Sequence, residues 1–258
     1  MSEIQDRRPQ PALNALVVGA SQGIGLGFVQ QLLADDRVGT VYGTYRRPAS
    51  AQGLLALAEA HPNLIGLPVD VTDEDSIAAA IAQIQPRTAQ LHRVVYCVGV
   101  LHDGDFQPEK SLRQITSENL VRSFQTNAVG AALVVKHLLP LLKHDQPSLF
   151  AAISAKVGSL GDNRLGGWYG YRASKAALNM LIKTAALEYA RRSPQTTLAL
   201  LHPGTTDTRL SEPFQRGVPP EKLFTVERTV AQLMAVMDGL TPADSGEFFN
   251  WDGTRLPW

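Results

Sequence analysis

The chain has 258 residues, 44% of them hydrophobic and 19% charged, which is ordinary for a globular protein and enough for one large core. Its 24 Lys and Arg balance 24 Asp and Glu, so no basic surface recommends a nucleic-acid partner. The single cysteine, Cys97, excludes an internal disulfide framework. The N-terminus lacks the apolar core of a signal peptide. The most apolar helical tract, 131–142, is broken by Lys136, His137 and Pro140 and is too short to span a bilayer. A cytoplasmic protein with no membrane segment is expected.

Residues 1–12 are polar and carry Pro9 and Pro11; a flexible tail is expected there, followed by one domain over 13–258. The apolar run 13–18 suits a buried parallel strand. It leads directly into Gly19-Ala20-Ser21-Gln22-Gly23-Ile24-Gly25, and a helical pattern follows through Leu26, Phe28, Val29, Leu32 and Leu33. Strand, glycine-rich turn and helix in that order describe a dinucleotide site. Gly19 permits the tight turn, Gly23 lets backbone approach a pyrophosphate, and Gly25 lets helix pack close to strand. The helix N-terminus then offers free N–H groups and a positive dipole end to phosphates. A second strand is expected at 38–45. An acidic residue at its end would bond a ribose 2′-hydroxyl, whereas arginine would accept a 2′-phosphate. The chain reads Thr44-Tyr45-Arg46-Arg47, which points to NADP(H), with Arg46 preferred over Arg47 as the phosphate ligand. The alternative is that both arginines are solvated loop charges.

Further strands are expected at 64–69, 91–98, 148–154, 196–201 and 246–250, with helices at 54–60, from Thr72-Asp73-Glu74-Asp75 to Ile84, and at 117–125, 127–142, 173–192 and 225–237. The acidic first turn and cap residue suit the 72–84 helix. Strand and helix alternate throughout, so the fold class is α/β: a Rossmann-type, doubly wound parallel sheet with helices on both faces. The polar, proline-bearing tract 205–224 reads as a mobile lid, and with 100–109 it is expected to shape the pocket.

In Tyr171-Arg172-Ala173-Ser174-Lys175, helical spacing puts residues i and i+4 on one face, so phenol and ammonium can share a space. A nearby cation lowers a phenol's pKa and makes it a usable proton exchanger at a carbonyl or alcohol oxygen. YxxxK alone is common, and its weight comes from the company it keeps.

Gly19-x-x-x-Gly23-Ile24-Gly25, Asn127, Tyr171-x-x-x-Lys175 and Pro203-Gly204 together resemble the classical short-chain dehydrogenase/reductases, over nearly the whole chain. The tracts 157–160 and 163–169 and the ending Leu256-Pro257-Trp258 are most similar to the C-factor-like and sniffer-like branch. That branch includes NADPH-dependent carbonyl reductases and a bacterial signalling protein. The resemblance implies that Tyr171 is the acid/base and that Lys175 bonds the nicotinamide ribose and lowers the tyrosine pKa. It implies that Asn127 holds a relay water, and that Ser21, Gln22 and Ile24 line the pyrophosphate. Asp70 and Val71 would contact adenine, and Thr206 and Thr208, after Pro203-Gly204, would approach the carboxamide or phosphates. It further implies a small carbonyl or alcohol substrate and a homodimer or homotetramer.

Two departures stand out. The family's Asn-Asn-Ala-Gly reads Tyr96-Cys97-Val98-Gly99 here; Gly99 still admits backbone close to the cofactor, and Cys97 is expected to be a buried small apolar group. The family's catalytic serine position falls on Ala155. Ser154 is the preferred substitute, with Ser159 next and no serine as the third option. Successive strand residues face opposite ways, so Ser154 needs a twist or bulge to reach the site. These departures leave a second function class open, a cofactor-binding regulatory protein with little catalysis. The six histidines His61, His92, His102, His137, His144 and His202 make no H-x-x-x-H pair, so no metal is expected, and His202 is read as structural. Trp168 and Tyr169 either wall the pocket or pack the core.

Overall fold

The computed structural model describes residues 12–258. The expected tail therefore lies, but for Ala12, outside the described residues. Strands β1 (Leu13–Val18), β2 (Val38–Tyr45), β3 (Leu64–Pro68), β4 (Arg93–Tyr96), β5 (Ser148–Ile153) and β6 (Thr196–His202) form one sheet. A two-residue pair, β7 (Thr205–Thr206) with β8 (Leu223–Phe224), stands apart, and β9 (Phe248–Asn250) closes the sheet edge. The sheet order is β3-β2-β1-β4-β5-β6-β9, and all its pairs are parallel. The order reverses between β1 and β4, the switch point at which open α/β sheets bind ligands beyond the strand ends. The expected doubly wound fold is what the chain forms.

Helices α1 (Gly23–Leu33), α2 (Gln52–Ala60), α3 (Glu74–Ile84), α4 (Ser117–Phe124), α5 (Gly130–Leu142), α6 (Tyr169–Arg192) and α7 (Val226–Gly239) cover the two faces. The central strand residues are mostly apolar because both faces of the sheet are covered, and they alternate between two cores. Leu16 and Val18 pack with Ile77, Leu138 and Leu178 of α3, α5 and α6. Ala15 and Val17 pack with Phe28, Leu32, Leu233 and Met237 of α1 and α7. Asp73 caps α3 by accepting the Asp75 N–H, with Glu74 and Asp75 in the first turn, as its sequence anticipates.

Three differences from expectation bear on the site. β4 stops at Tyr96 because the chain then turns over the glycine loop; a Cβ on Gly19 would meet Val98 Cγ2 at 2.7 Å. α6 begins at Tyr169 rather than 173, which puts Tyr171 inside its first turn. Between α4 and α5 lies a π-helical turn, Gln125–Val129, carrying Asn127. The 205–224 tract is pinned at its base, where β7 pairs with β8. Among the described residues, no helix is long and apolar enough to cross a membrane.

Candidate active site

At the end of β1, Gly19 adopts φ +84°, and its N–H donates to Thr44 Oγ1 at 3.0 Å. A Cβ on Gly25 would overlap the Gly19 carbonyl oxygen, so only glycine lets α1 start this close to the turn. Gln22 occupies the N-cap with no side-chain cap, leaving the first-turn N–H groups to whatever fills the crevice. Ser21 and Ile24 are half-buried on this turn and Gln22 is exposed. Gly23 has φ +54°, and the methyl of Thr208 stands 3.3 Å from where its Cβ would be, so the 205–224 tract leans over the turn.

Arg46 is exposed at the end of β2 and forms no ion pair among the described residues. Its charge reaches Asp70. Burial pushes the Asp70 carboxyl up, but the Thr72 N–H and hydroxyl bonds at 3.0 and 2.7 Å, with the Arg46 and Arg47 charges, outweigh it and hold it below the ordinary value. Val71 is buried under α5, with its carbonyl against Gly130.

Beyond β4 and β5 the proposed chemistry converges. Lys175 is 3% exposed and donates to the Ile153 carbonyl at 2.9 Å, and its Nζ lies 5.8 Å from the centre of the Tyr171 ring. A Cβ on Gly99 would sit 3.4 Å from Lys175 Nζ and 3.6 Å from Asn127 Oδ1. Asn127 is fully buried. Its Oδ1 accepts the Val100 N–H at 2.6 Å, and its Nδ2 donates to the Val100 carbonyl at 2.9 Å and to Ser174 Oγ at 3.0 Å. The amide is thereby spent on holding the pocket wall to α6. π-Turns recur at functional sites because they reset the helix ladder locally, and this one carries the Asn127 side chain that holds Val100, beyond β4.

Two electrostatic findings qualify the sequence reading. Burial lowers the Lys175 ammonium to about 8, with Cys97 acting weakly the other way. Burial also drives the Tyr171 phenol above its ordinary value, the reverse of the lowering expected from Lys175. Desolvation is the cause, and the Lys175 ammonium is engaged by the Ile153 carbonyl. Cys97 is only half-buried, not the sealed apolar group expected, and burial raises its thiol while the Lys175 charge opposes that. The missing strand-tying asparagine has a substitute: the buried Tyr96 hydroxyl donates to the Thr126 carbonyl at 3.2 Å, tying β4 to the π-turn.

Ser154 is 2% exposed and donates to Asn179 Oδ1 at 2.6 Å. β5 pairs with both neighbours without a register shift, so no bulge redirects it, and Ser154 keeps the strand's parity toward the α6 face. Asn179 lies two turns along α6 from Tyr171, which takes the hydroxyl away from the phenol. Ser159 is also buried, and its Oγ accepts the Asp162 N–H at 3.2 Å. Thr206 is buried, and its hydroxyl shares a 2.8 Å hydrogen bond with Thr229 of α7, while Thr208 stands against the glycine turn. Pro203 and Gly204 follow β6. Gly204 has φ +73°, and a Cβ there would strike the Phe224 ring. His202 is pushed down to about 4, first by burial and then by the Lys156 charge; its Nδ1 accepts the Lys156 N–H at 3.3 Å, a structural role. Asn179 was missed, although extending the i, i+4 reading from Tyr171 and Lys175 by one turn reaches it.

Trp168 walls this site. Its ring lies edge-on to Tyr171 at 6.2 Å and to Phe214 of the 205–224 tract at 4.9 Å. His102 in turn meets Phe214 at 5.7 Å and donates its Nε2 proton to the Arg209 carbonyl at 3.0 Å.

A nicotinamide dinucleotide fits these residues: a turn that tolerates no Cβ at Gly25, an uncapped helix start, an exposed guanidinium at the end of β2, and a glycine facing a buried ammonium. Comparison with known proteins agrees. A family model described as short chain dehydrogenase matches residues 13–218. An NADPH-bound carbonyl reductase from chicken fatty liver superposes with TM-score 0.86 at 32% identity, covering 96% of this chain and 100% of the other. The carbonyl reductase Sniffer of D. melanogaster gives TM-score 0.85 at 26% identity with the same coverage. The C-signal protein of Myxococcus xanthus is 34% identical over 148 residues, 57% of this chain and 84% of that one.

Proposed function

The chain belongs to the short-chain dehydrogenase family, and from that premise we propose that it is an NADPH-dependent oxidoreductase that reduces a ketone or aldehyde, or oxidises the matching alcohol. The observation that carries the reading is that Lys175 and Asn127 meet at Gly99 while the Tyr171 ring lies 5.8 Å from the Lys175 ammonium. In this reading the pyrophosphate lies on the backbone of 19–25, lined by Ser21, Gln22 and Ile24, with Thr208 above it. Arg46 takes the 2′-phosphate, Asp70 and Val71 border the adenine, and Pro203-Gly204 borders the carboxamide. Once bound, the cofactor supplies the hydride.

The chain's own residues handle the proton. Burial keeps the Tyr171 phenol protonated at neutral pH, which suits a donor to a carbonyl oxygen. The Lys175 ammonium, held by Ile153, presents its remaining N–H groups to the ribose and keeps positive charge beside the phenolate that forms. Asn127 and its π-turn hold the relay that reprotonates Tyr171. No serine contributes a donor: Ala155 stands at the expected place, and Ser154 serves Asn179. A missing donor of this kind costs about 10²–10³ in rate, so turnover is expected to be slow.

A second reading, a cofactor-binding regulatory protein with little catalysis, draws on Ala155 and on the similarity to the C-signal protein. NADPH consumption across a broad panel of ketones and aldehydes separates the two. Turnover of any compound supports the reductase; tight NADPH binding with turnover of none supports the regulator. The same reading carries a cytoplasmic location and one domain over 13–258. A homodimer or homotetramer is supported by exposed Val121, Met180 and Leu187 on α4 and α6.

A further inference from the structure

A buried acid outside the family's motif set touches the helix that carries Tyr171. Glu109 is 3% exposed and has no ion-pair partner among the described residues. Its Oε2 accepts the Gly170 N–H at 3.0 Å, and its backbone carbonyl accepts the Trp168 N–H at 2.5 Å. These are the N-cap and second-position amides of α6, which a helix cannot satisfy internally. A serine or aspartate at the N-cap ordinarily serves them. Here the N-cap is Trp168, which offers no side-chain cap and is the one non-glycine residue with positive φ, +52°, among those described. A bulky residue held in that conformation is rare enough to mark a constrained site. Gly170 makes the arrangement possible: a Cβ there would lie 3.0 Å from Glu109 Oε1 and 2.9 Å from Ser123 Oγ. Tyr171 is the next residue.

We propose that Glu109 is a positioning residue for Tyr171: its side chain fixes the first turn of α6 and couples the 100–116 pocket segment to the phenol. The same segment is held to Asn127 through Val100 and to the 205–224 tract through His102, so Glu109 is the third point at which it grips the site. The inference rests on the reading of Tyr171 as proton donor. An aspartate withdraws the accepting oxygen by one methylene and lets the first turn of α6 drift, and displacements of this order can cost about 100-fold in rate. A glutamine leaves an accepting oxygen in place.

The test compares Glu109→Asp with Glu109→Gln in the full-length protein. kcat is normalised to the folded, NADPH-binding fraction, and the ring-carbon NMR resonance of labelled Tyr171 is assigned by its loss in Tyr171→Phe. Expected are a kcat lower by about 10- to 100-fold for Glu109→Asp, with the carbonyl KM within about twofold, near-complete recovery in Glu109→Gln, and a shifted Tyr171 resonance only in the aspartate variant. Wild-type kcat per folded site and an unshifted resonance in Glu109→Asp would overturn the proposal, as would equal losses in both variants. If the wild-type protein turns over no carbonyl, or Tyr171→Phe stays active, the catalytic reading fails, and the Tyr171 resonance alone still decides whether Glu109 positions the ring.

Discussion

Around the β1–α1 turn, the crevice is lined by backbone. Gly19, Gly23 and Gly25 contribute no side chains of their own at the helix N-terminus, and Arg46 forms no ion pair among the described residues. Around the start of α6 it is lined by side chains already engaged with the protein: Asn127 with Val100, Ser154 with Asn179, Lys175 with Ile153, and Glu109 with Gly170. The difference teaches where tolerance lies. The first region fails when an atom is added; the second fails when a hydrogen-bonding partner is taken away.

In the backbone-lined region, adding one atom gives the largest expected effect. Gly25→Ala places a methyl on the Gly19 carbonyl, a backbone clash that no rotamer relieves, and should cost about 3 kcal/mol in stability or NADPH affinity. Thermal melts and calorimetric titration report it. An alanine variant that binds normally would mean the turn is loose. Next, Arg46→Ala should weaken NADPH by about 1.5–3 kcal/mol while leaving NADH nearly unchanged. Equal losses for both cofactors would remove Arg46 as the phosphate ligand.

The pH dependence probes the α6 side. Lys175 is charged below about 8 in the fold and below 10.5 when unfolded. Above about 8 the folded protein loses this proton, so kcat/KM for NADPH should fall, approaching about tenfold per pH unit. Stability carries the opposite sign. Between these two values the unfolded chain binds more protons, so this group's contribution to unfolding free energy rises with pH. A flat NADPH profile from pH 7 to 10, on a roughly logarithmic scale, would show that burial does not control Lys175. The smallest effect is expected at Ser154→Ala. It leaves buried Asn179 without its donor, costs about 1–3 kcal/mol of stability, and should lower kcat less than about tenfold. A loss of about 10² or more in kcat would restore Ser154 to the chemistry.

The backbone-lined region was almost wholly legible in the sequence. A glycine turn, a capped helix or a strand run is a local pattern, and the parallel sheet follows from alternation of elements. Asn127, Tyr171 and Lys175 stand out in the sequence because their spacing and chain order match one family, and Arg46 stands out by its place at the end of β2. The engaged side chains were not. Glu109 meets Gly170 across 61 residues, Ser154 meets Asn179 across 25, and Thr206 meets Thr229 across 23. No periodicity announces such pairs. The lowering of the Tyr171 pKa expected from Lys175 is likewise opposed on tertiary grounds, since burial raises the phenol, an effect that spacing on the helix does not reveal.

The most direct test sets Tyr171→Phe beside the parent protein, with NADPH dissociation constants and turnover of one reducible carbonyl measured on the same samples. Removing a proton donor while keeping the ring predicts a fall in kcat of about 10²–10⁴, with NADPH affinity within about twofold. Unchanged turnover in the phenylalanine variant would contradict the assignment of the proton to Tyr171.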